Sequence, residues 1–182
     1  MQLDTPDLVI RPPVPEDAPA AFELLNDPDV RRWNPGRACP DLAAAEEWCR
    51  DGADWSDGTH ATWHAVLRET GRMVGNVSLF AIDPDDRVAK IGYRVLAGAR
   101  GRGVATQMVD AVTRWAFAER DLARVQLEHG VPNLASCRVA TRAGFVLEGT
   151  TRSAYAVPGG GREDCHVHGR LATDPVPGSR IA

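Results

Sequence analysis

The chain has 182 residues, 43% of them hydrophobic and 25% charged, with a formal net charge of -4. This composition is ordinary for a soluble globular protein and offers no general basic surface for nucleic acid. The first residues, MQLDTPDLVI, are acidic and polar, unlike a secretory signal, and no apolar run approaches the roughly 20 residues of a membrane span. We therefore expect a cytoplasmic protein that binds neither nucleic acid nor membrane.

The four cysteines give no sign of a disulfide framework. Cys39, Cys49, Cys137 and Cys165 lack the CxxC spacing of a zinc site, and a chain of this length does not need disulfides to fold. We expect them to be reduced and mostly structural.

The first elements are a strand and two helices. LVIR (8–11) is predicted to be a strand, and PEDAPAAFELLND, with apolar residues at helical spacing, a helix. WNPGRACP (33–40) contains Pro and Gly and is predicted to be a loop. DLAAAEEWCRD is predicted to be a second helix with Asp41 as its N-cap.

The middle of the chain predicts a meander of strands followed by a helix. HATWHAVL and MVGNVSLFAID are two strands joined by a tight turn at 69–72, and a turn at 83–86 leads into the strand VAKIGYRVL. From Val104 the apolar residues recur at three- and four-residue spacing, which indicates an amphipathic helix.

The last third predicts a strand, a short helix and two closing strands. RVQLEHG (124–130) alternates like a strand, NLASCRVATRAGF is a helix that ends at Gly144, and FVLEGTTRSAY and CHVHGRL flank PGGGRED. Without an internal repeat or a linker, we expect one mixed α/β domain over residues 1–172 and a C-terminal tail at 173–182.

The segment ARGRGVAT (99–106) carries the clearest chemical signal. Its glycines allow the backbone to turn, and the first amides of the following helix have no partner, so a phosphate fits there. A P-loop would need a lysine that this segment lacks, and a dinucleotide fingerprint would need a small residue where Thr106 stands. A tight turn without a ligand is the remaining alternative.

The same segment resembles the acyl-CoA pyrophosphate loop of the GNAT superfamily of N-acetyltransferases. Arg100, Gly103 and Ala105 match the pattern [RQ]-x-x-G-x-[GA]. IGYRVL upstream is similar to the family's central strand, and Asn133, Ser136 and the AGF at 143–145 are similar to its next strand-helix segment. The resemblance covers about residues 8–172 and is closest to the branch of ribosomal-protein alanine acetyltransferases.

The resemblance implies a GNAT fold of the α/β (α+β) class, with a mixed, mostly antiparallel sheet, helices on both faces and one splayed pair of parallel strands. Pantetheine would pair with the main chain between the splayed strands, while the pyrophosphate would lie on the loop and acetyl-CoA would serve as cosubstrate. The residues that the resemblance assigns to the cofactor are Tyr93, Arg94, Val95, Arg100, Gly101, Arg102, Gly103, Val104, Ala105, Thr106 and Asn133, with Arg138 and Arg142 near its nucleotide phosphate.

Acyl transfer to an amine needs a proton acceptor, an oxyanion donor and help for the thiolate. Glu128 lies on the strand face opposite the core residues, where some relatives carry a base, and a histidine acting through water is an alternative. The resemblance gives Ser136 a place near the CoA sulfur, with helix capping as its alternative role, and the oxyanion to a backbone N–H near Val95. Many relatives use a tyrosine where this chain has Ala140.

The acceptor is expected to be an amine that is partly neutral at pH 7. An α-amine, with a pKa of roughly 8, suits a site with one carboxylate better than a lysine side chain near 10.4. We expect Arg32 and Trp33, in the loop after the first helix, and Tyr155 to face the acceptor, which would be a peptide N-terminus or a small-molecule amine. A longer donor such as succinyl-CoA, a non-catalytic acyl-CoA-binding module and a homodimer remain open.

Histidine pairs suggest a different chemistry. His166 and His168 share one strand face, as do His60 and His64, and such a pair can chelate a metal. The sequence places no third ligand beside either pair, and the resembled family uses none, so we expect no metal.

Overall fold

The computed structural model describes residues 1–34, 36, 38–157 and 159–177. Its helices are α1 (Ala18–Asn26), α2 (Pro28–Trp33), α3 (Leu42–Ala53), α4 (Val104–Glu119) and α5 (Leu134–Arg142). Its strands are β1 (Leu3–Asp4), β2 (Leu8–Arg11), β3 (Ala61–Leu67), β4 (Met73–Asp83), β5 (Val88–Val95), β6 (Arg124–Gly130), β7 (Val146–Ala156) and β8 (Arg162–Leu171).

The strands form one mixed sheet in the order β1-β2-β3-β4-β5-β6-β8-β7. All neighbouring strands are antiparallel except β5 and β6, which are joined by the crossover through α4 and run parallel. The expected fold, a mostly antiparallel sheet with one parallel pair, is confirmed.

The parallel pair separates before either strand ends. Its register runs from Val88 opposite Arg124 to Ile91 opposite Leu127, and stops there. Beyond that point β5 stays paired with β4, and β6 stays paired with β8. The last residues of the two strands therefore diverge and leave a V-shaped opening between them.

Strand β3 shows how the sheet divides two packed layers, because its side chains alternate between the two faces. Ala61, Trp63 and Ala65 belong to the core that contains residues of α4 and α5. His64 and Val66 point the other way, toward the layer of α1 and α3. Helices on both faces, as expected, cover the sheet.

The α1 and α3 layer is tied to the sheet by a buried charged group. Asp17, 6% exposed, accepts two hydrogen bonds from Arg11 at 2.8 Å and lies 2.7 Å from Nδ1 of His64. Burial acts to raise the pKa of this carboxyl, but the hydrogen bonds from Arg11 and His64 outweigh it and hold the pKa well below its usual range. His64 also stacks on Trp48 of α3, so it is not half of a chelating pair with His60, which lies 3.3 Å from Asp57.

The sequence analysis did not predict helix α2, whose last residue, Trp33, is the first residue of the predicted loop. The Asp27 side chain accepts a hydrogen bond from the Val30 N–H, and Pro28 occupies the first turn. Asp as N-cap followed by Pro is a standard helix start. Arg32 and Trp33 therefore lie in the last turn of a short helix and not in a loop; Pro35 and Arg37 of the predicted loop lie outside the described residues.

The other boundaries follow the local signals. Asp41 caps α3 by accepting from the Ala44 N–H, and Gly144, at φ +79°, follows α5 as predicted. Of the predicted tail, residues 178–182 lie outside the described residues, whereas Asp174 exchanges hydrogen bonds with Leu171. Among the helices the structure describes, none has the length and apolar character needed to cross a membrane.

Candidate active site

A cleft of about 940 Å³ opens where β5 and β6 diverge. Its walls come from α2, β5, the start of α4, β6, α5 and β7. Of the site residues predicted from the sequence, all but Arg32 and Arg102 line it. Arg102 is exposed beside the loop, so its side chain is not part of the cleft wall.

One end of the cleft contains the backbone N–H groups of the first turn of α4. Gly101 and Gly103 have φ values of +75° and +79°, a region that favours glycine. Gly103 is the N-cap and provides no side chain for capping, and the first intrahelical bond is from the Gln107 N–H to the Gly103 oxygen. The N–H groups of Val104, Ala105 and Thr106 therefore have no acceptor within the helix and suit an anion.

Arg100 is engaged differently from the prediction. Its guanidinium donates to the Val95 carbonyl at 3.1 Å and pairs with Asp27 at 2.6 Å and Asp29 at 2.8 Å. Both carboxylates belong to the start of α2, so Arg100 fastens that helix to the end of the cleft where α4 begins. The hydrogen bonds from Arg100 and the Val30 N–H, acting against burial, lower the pKa of Asp27.

Hydroxyl groups meet in the middle of the cleft. The Tyr93 hydroxyl donates to the Ser136 Oγ at 3.0 Å, and both side chains are largely enclosed. Burial raises the pKa of Tyr93, so its hydroxyl stays protonated. Ser136 does not cap α5; the side-chain oxygen of Asn133 does so, accepting from the Ser136 N–H at 3.1 Å. Asn133, which the resemblance assigns to the cofactor, thus uses its side-chain oxygen for capping.

The other end of the cleft holds the carboxylate of Glu128. Its Oε1 accepts from the Lys90 Nζ at 2.8 Å and from the Gln126 amide, and its Oε2 lies 3.4 Å from the Tyr155 hydroxyl. Burial, with Cys165 and Glu128 nearby, raises the pKa of Tyr155, which keeps that hydroxyl a donor. Glu128 is therefore a half-exposed carboxylate held in position by three hydrogen-bonding neighbours.

Sequence reasoning missed Lys90 because its contact depends on register. Lys90 of β5 lies directly opposite Gln126 of β6 in the parallel pair of strands. Gln126 comes two residues before Glu128 on the same strand. It is the single lysine of the chain, and this rarity was the signal that could have drawn attention to it. Arg94 was predicted, but not its partner Asn76, whose side-chain oxygen accepts its hydrogen bond at 3.2 Å.

Residues of α2 close the cleft near Glu128. The Trp33 ring packs on Gly130, at the end of β6, where an added Cβ would lie 3.5 Å from the ring. Arg32 stacks on Trp33 at 4.6 Å and forms an ion pair with Glu163 of β8 at 3.0 Å. Arg32 thus holds Trp33 in place from outside the cleft.

Comparison with known proteins agrees with this geometry. Residues 7–146 match the family model described as an acetyltransferase (GNAT) domain. YdaF of Bacillus subtilis (strain 168), a candidate ribosomal N-acetyltransferase, is 31% identical over 160 residues, which cover 84% of this chain and 85% of that protein.

Solved structures share the fold. RimL, a ribosomal L7/L12 α-N-protein acetyltransferase in complex with coenzyme A, superposes with a TM-score of 0.82 at 22% identity and covers 94% of this chain and 98% of that one. Spermidine N-acetyltransferase from Vibrio cholerae, in complex with CoA and spermine, gives a TM-score of 0.81 at 18% identity, with coverage of 93% and 98%. The match of the family model over most of the chain, on a sheet that opens between β5 and β6, establishes that this protein belongs to the GNAT family of acetyltransferases.

Proposed function

We propose that the protein transfers an acetyl group from acetyl-CoA to a primary amine by direct attack in a ternary complex. The observation that carries this proposal is that one cleft joins the free amides at the start of α4 to the Glu128 carboxylate, with the Tyr93 and Ser136 hydroxyls also in its wall. An anion site, hydroxyl donors and a carboxylate are the groups that attack by an amine on a thioester requires.

The donor end binds the nucleotide part of acetyl-CoA. Its pyrophosphate lies on the N–H groups of Val104, Ala105 and Thr106, where the helix dipole favours negative charge. The pantetheine amides pair with the free edge of β5 beyond Ile91, where the parallel ladder has ended. This places the thioester next to Val95, whose N–H we assign to the developing oxyanion.

The acceptor amine must lose a proton around the time of attack. Glu128 takes that proton through a water molecule, and Lys90, at 2.8 Å, stabilises its charged form before the transfer. The Ser136 hydroxyl, which accepts a hydrogen bond from Tyr93, donates its own hydrogen bond to the departing thiolate, and the proton that completes the free thiol comes from solvent. Tyr93 of β5 thus provides the site with a tyrosine hydroxyl, which α5 lacks because it has the buried Ala140.

The acceptor enters at the end formed by Trp33, Gly130 and Tyr155. A single carboxylate is too weak a base to deprotonate a lysine side chain efficiently. An α-amine with a pKa of roughly 8 is already about one-tenth neutral at pH 7. We therefore propose a peptide N-terminus or a weakly basic small amine as acceptor. The name of one relative, a ribosomal L7/L12 α-N-protein acetyltransferase, supports the first of these classes.

The test is a free-thiol release assay with acetyl-CoA and succinyl-CoA, using peptides with varied N-termini, amino acids, polyamines and aminoglycosides. Mass spectrometry of the product identifies the modified amine. Turnover of a peptide N-terminus indicates a protein-modifying enzyme, and turnover of a small amine indicates metabolism or detoxification. Tight CoA binding without turnover of any acceptor would replace this proposal with an acyl-CoA-binding module.

Removing the hydroxyl pair is expected to have a modest effect. Ser136→Ala and Tyr93→Phe should each lower kcat by about tenfold or less, because a thiolate with a pKa near 8.5 is a fair leaving group by itself. Since the two hydroxyls act in series, the kcat of the double variant should be only slightly lower than that of either single variant. A double-mutant cycle of kcat measures this.

Ser78→Ala is the control, since Ser78 lines the same cleft but its hydroxyl pairs with Thr62 at 2.8 Å. Unchanged kcat in the double variant, or losses that simply add, would remove the assigned relay.

A further inference from the structure

Four metal-binding side chains meet beneath helix α5, adjoining the cleft. They are His129 of β6, His166 and His168 of β8, and Cys137 of α5, and one ligand atom from each lies within 4.8 Å of those from all the others. Of these residues, only His129 also lines the cleft. In the sequence, the two histidines of β8 were a pair without a third ligand. The fold brings two further candidate ligands, His129 and Cys137, beside them.

Strand register brings the histidines together. His129 lies opposite His166, and His168 lies opposite Leu127, two residues before His129. Residues that are opposite or two apart on paired strands share one face. That face is covered by α5, whose Cys137 follows the cleft residue Ser136.

The His129 ring is held so that the lone pair of its Nε2 faces Nε2 of His168. Nδ1 of His129 donates to the Gly130 carbonyl at 2.9 Å, which leaves Nε2 unprotonated in the neutral ring. A backbone carbonyl that fixes the tautomer in this way is the usual support of a metal-binding histidine.

The distances fit a small tetrahedral ion. Nε2 of His129 and Nε2 of His168 are 3.1 Å apart, and two nitrogens bound to one tetrahedral zinc ion are about 3.3 Å apart at ordinary bond lengths. In the described part of the chain, the buried Nδ1 atoms of His166 and His168 lack a hydrogen-bond partner. Since His168 faces His129 through Nε2, the Nδ1 of His166 is the unpartnered nitrogen that an ion at this place would satisfy.

We propose that His129, Cys137, His166 and His168 bind one zinc-type transition-metal ion in a closed, four-ligand site. Imidazole and thiolate ligands select Zn²⁺ or Co²⁺ over Ca²⁺ and Mg²⁺, which prefer oxygen. Four protein ligands leave no open position for a substrate, so the site is structural. Binding displaces the thiol proton of Cys137 into solvent, and the ion ties α5, which carries Ser136, to β6 and β8.

The test is a titration of the tag-free protein with Co²⁺ under reducing conditions, followed by absorption spectroscopy. We expect one equivalent to give the intense visible bands of tetrahedral Co²⁺ and the near-ultraviolet band of a cobalt–thiolate bond, and Zn²⁺ to displace both. Zn²⁺ should also raise the unfolding temperature of the wild-type protein.

Two half-buried ligands provide the variants, and each should fold without metal as judged by circular dichroism. Cys137→Ser should lose the thiolate band, and both Cys137→Ser and His166→Gln should bind Zn²⁺ at least about tenfold more weakly, since even supporting partners of a ligand cost 10–100-fold when removed. His60→Gln, whose histidine lies outside the cluster, is the matched control and should bind as the wild type does.

Absence of saturable binding by the wild-type protein would overturn the proposal and leave a hydrogen-bonded histidine cluster. Wild-type affinity in both ligand variants would overturn it as well, because the ion would then lie elsewhere. None of these readouts depends on acetyl transfer, so they are independent of the proposed function.

Discussion

Replacing Glu128 with glutamine is expected to lower kcat by about 10²–10⁴-fold, the range for general acid–base catalysis. The amide keeps the size of the carboxylate but cannot take up the proton that the amine releases. The KM for acetyl-CoA should stay close to the wild-type value, because the proposed donor site lies at the start of α4. Initial rates of thiol release, with each substrate varied at a saturating concentration of the other, separate these two effects.

The pH dependence of this variant is a second, sharper readout. As the pH rises toward the pKa of the acceptor, near 8 for an α-amine, more of the amine is neutral without help and the deficit should shrink. Glu148→Gln is the matched control, since Glu148 is also paired with a cation, Arg124, but lies outside the cleft. A kcat within about twofold of wild type at pH 7 would remove Glu128 from the mechanism.

Replacing Asp17 with asparagine should give the largest loss of stability. The variant leaves Arg11 and His64 without their carboxylate partner in a buried position. Breaking a buried ion pair costs about 3–5 kcal/mol, and we expect about 2–4 kcal/mol here because Arg11 keeps access to water. Urea unfolding at pH 7, with the exposed Asp85→Asn as control, measures the difference.

The sign of the pH effect follows from the lowered pKa of Asp17. The ionised carboxylate stabilises the folded state fully above its unfolded pKa, about 3.9, and this stability is lost as the pH falls toward the lower folded pKa. The gap between wild type and Asp17→Asn should therefore be constant near neutral pH and narrow below about pH 4. A gap under about 0.5 kcal/mol at pH 7, or one that does not narrow in acid, would contradict this account.

Local signals predicted the turn before α4 and the uncapped start of that helix. The positive φ values of Gly101 and Gly103 and the uncapped start of α4 depend on residues that are neighbours in sequence. The same holds for Asp41 as a cap. Helix α2 also has a local start signal, the Asp27-Pro28 pair. The Pro and Gly of the next segment predicted a loop, and this signal was missed.

Contacts between distant residues could not be predicted in the same way. The Lys90 and Glu128 pair requires the register of two parallel strands, and the histidine cluster requires that of two antiparallel strands with a helix laid over them. The engagement of Arg100 with Asp27 and Asp29 depends on how α2 packs. In each case the residue types were visible but their partners were fixed by tertiary packing.

The pairing of Lys90 with Glu128 has a consequence for the enzyme's own modification. A protein with one lysine has only one ε-amino group that acetyl-CoA or an amine-reactive label can acylate, and here that group lies 2.8 Å from a carboxylate. Acylation of a side-chain amine is therefore confined to this position. Peptide mapping at Lys90 thus records directly whether the carboxylate end of the cleft has kept its counter-charge.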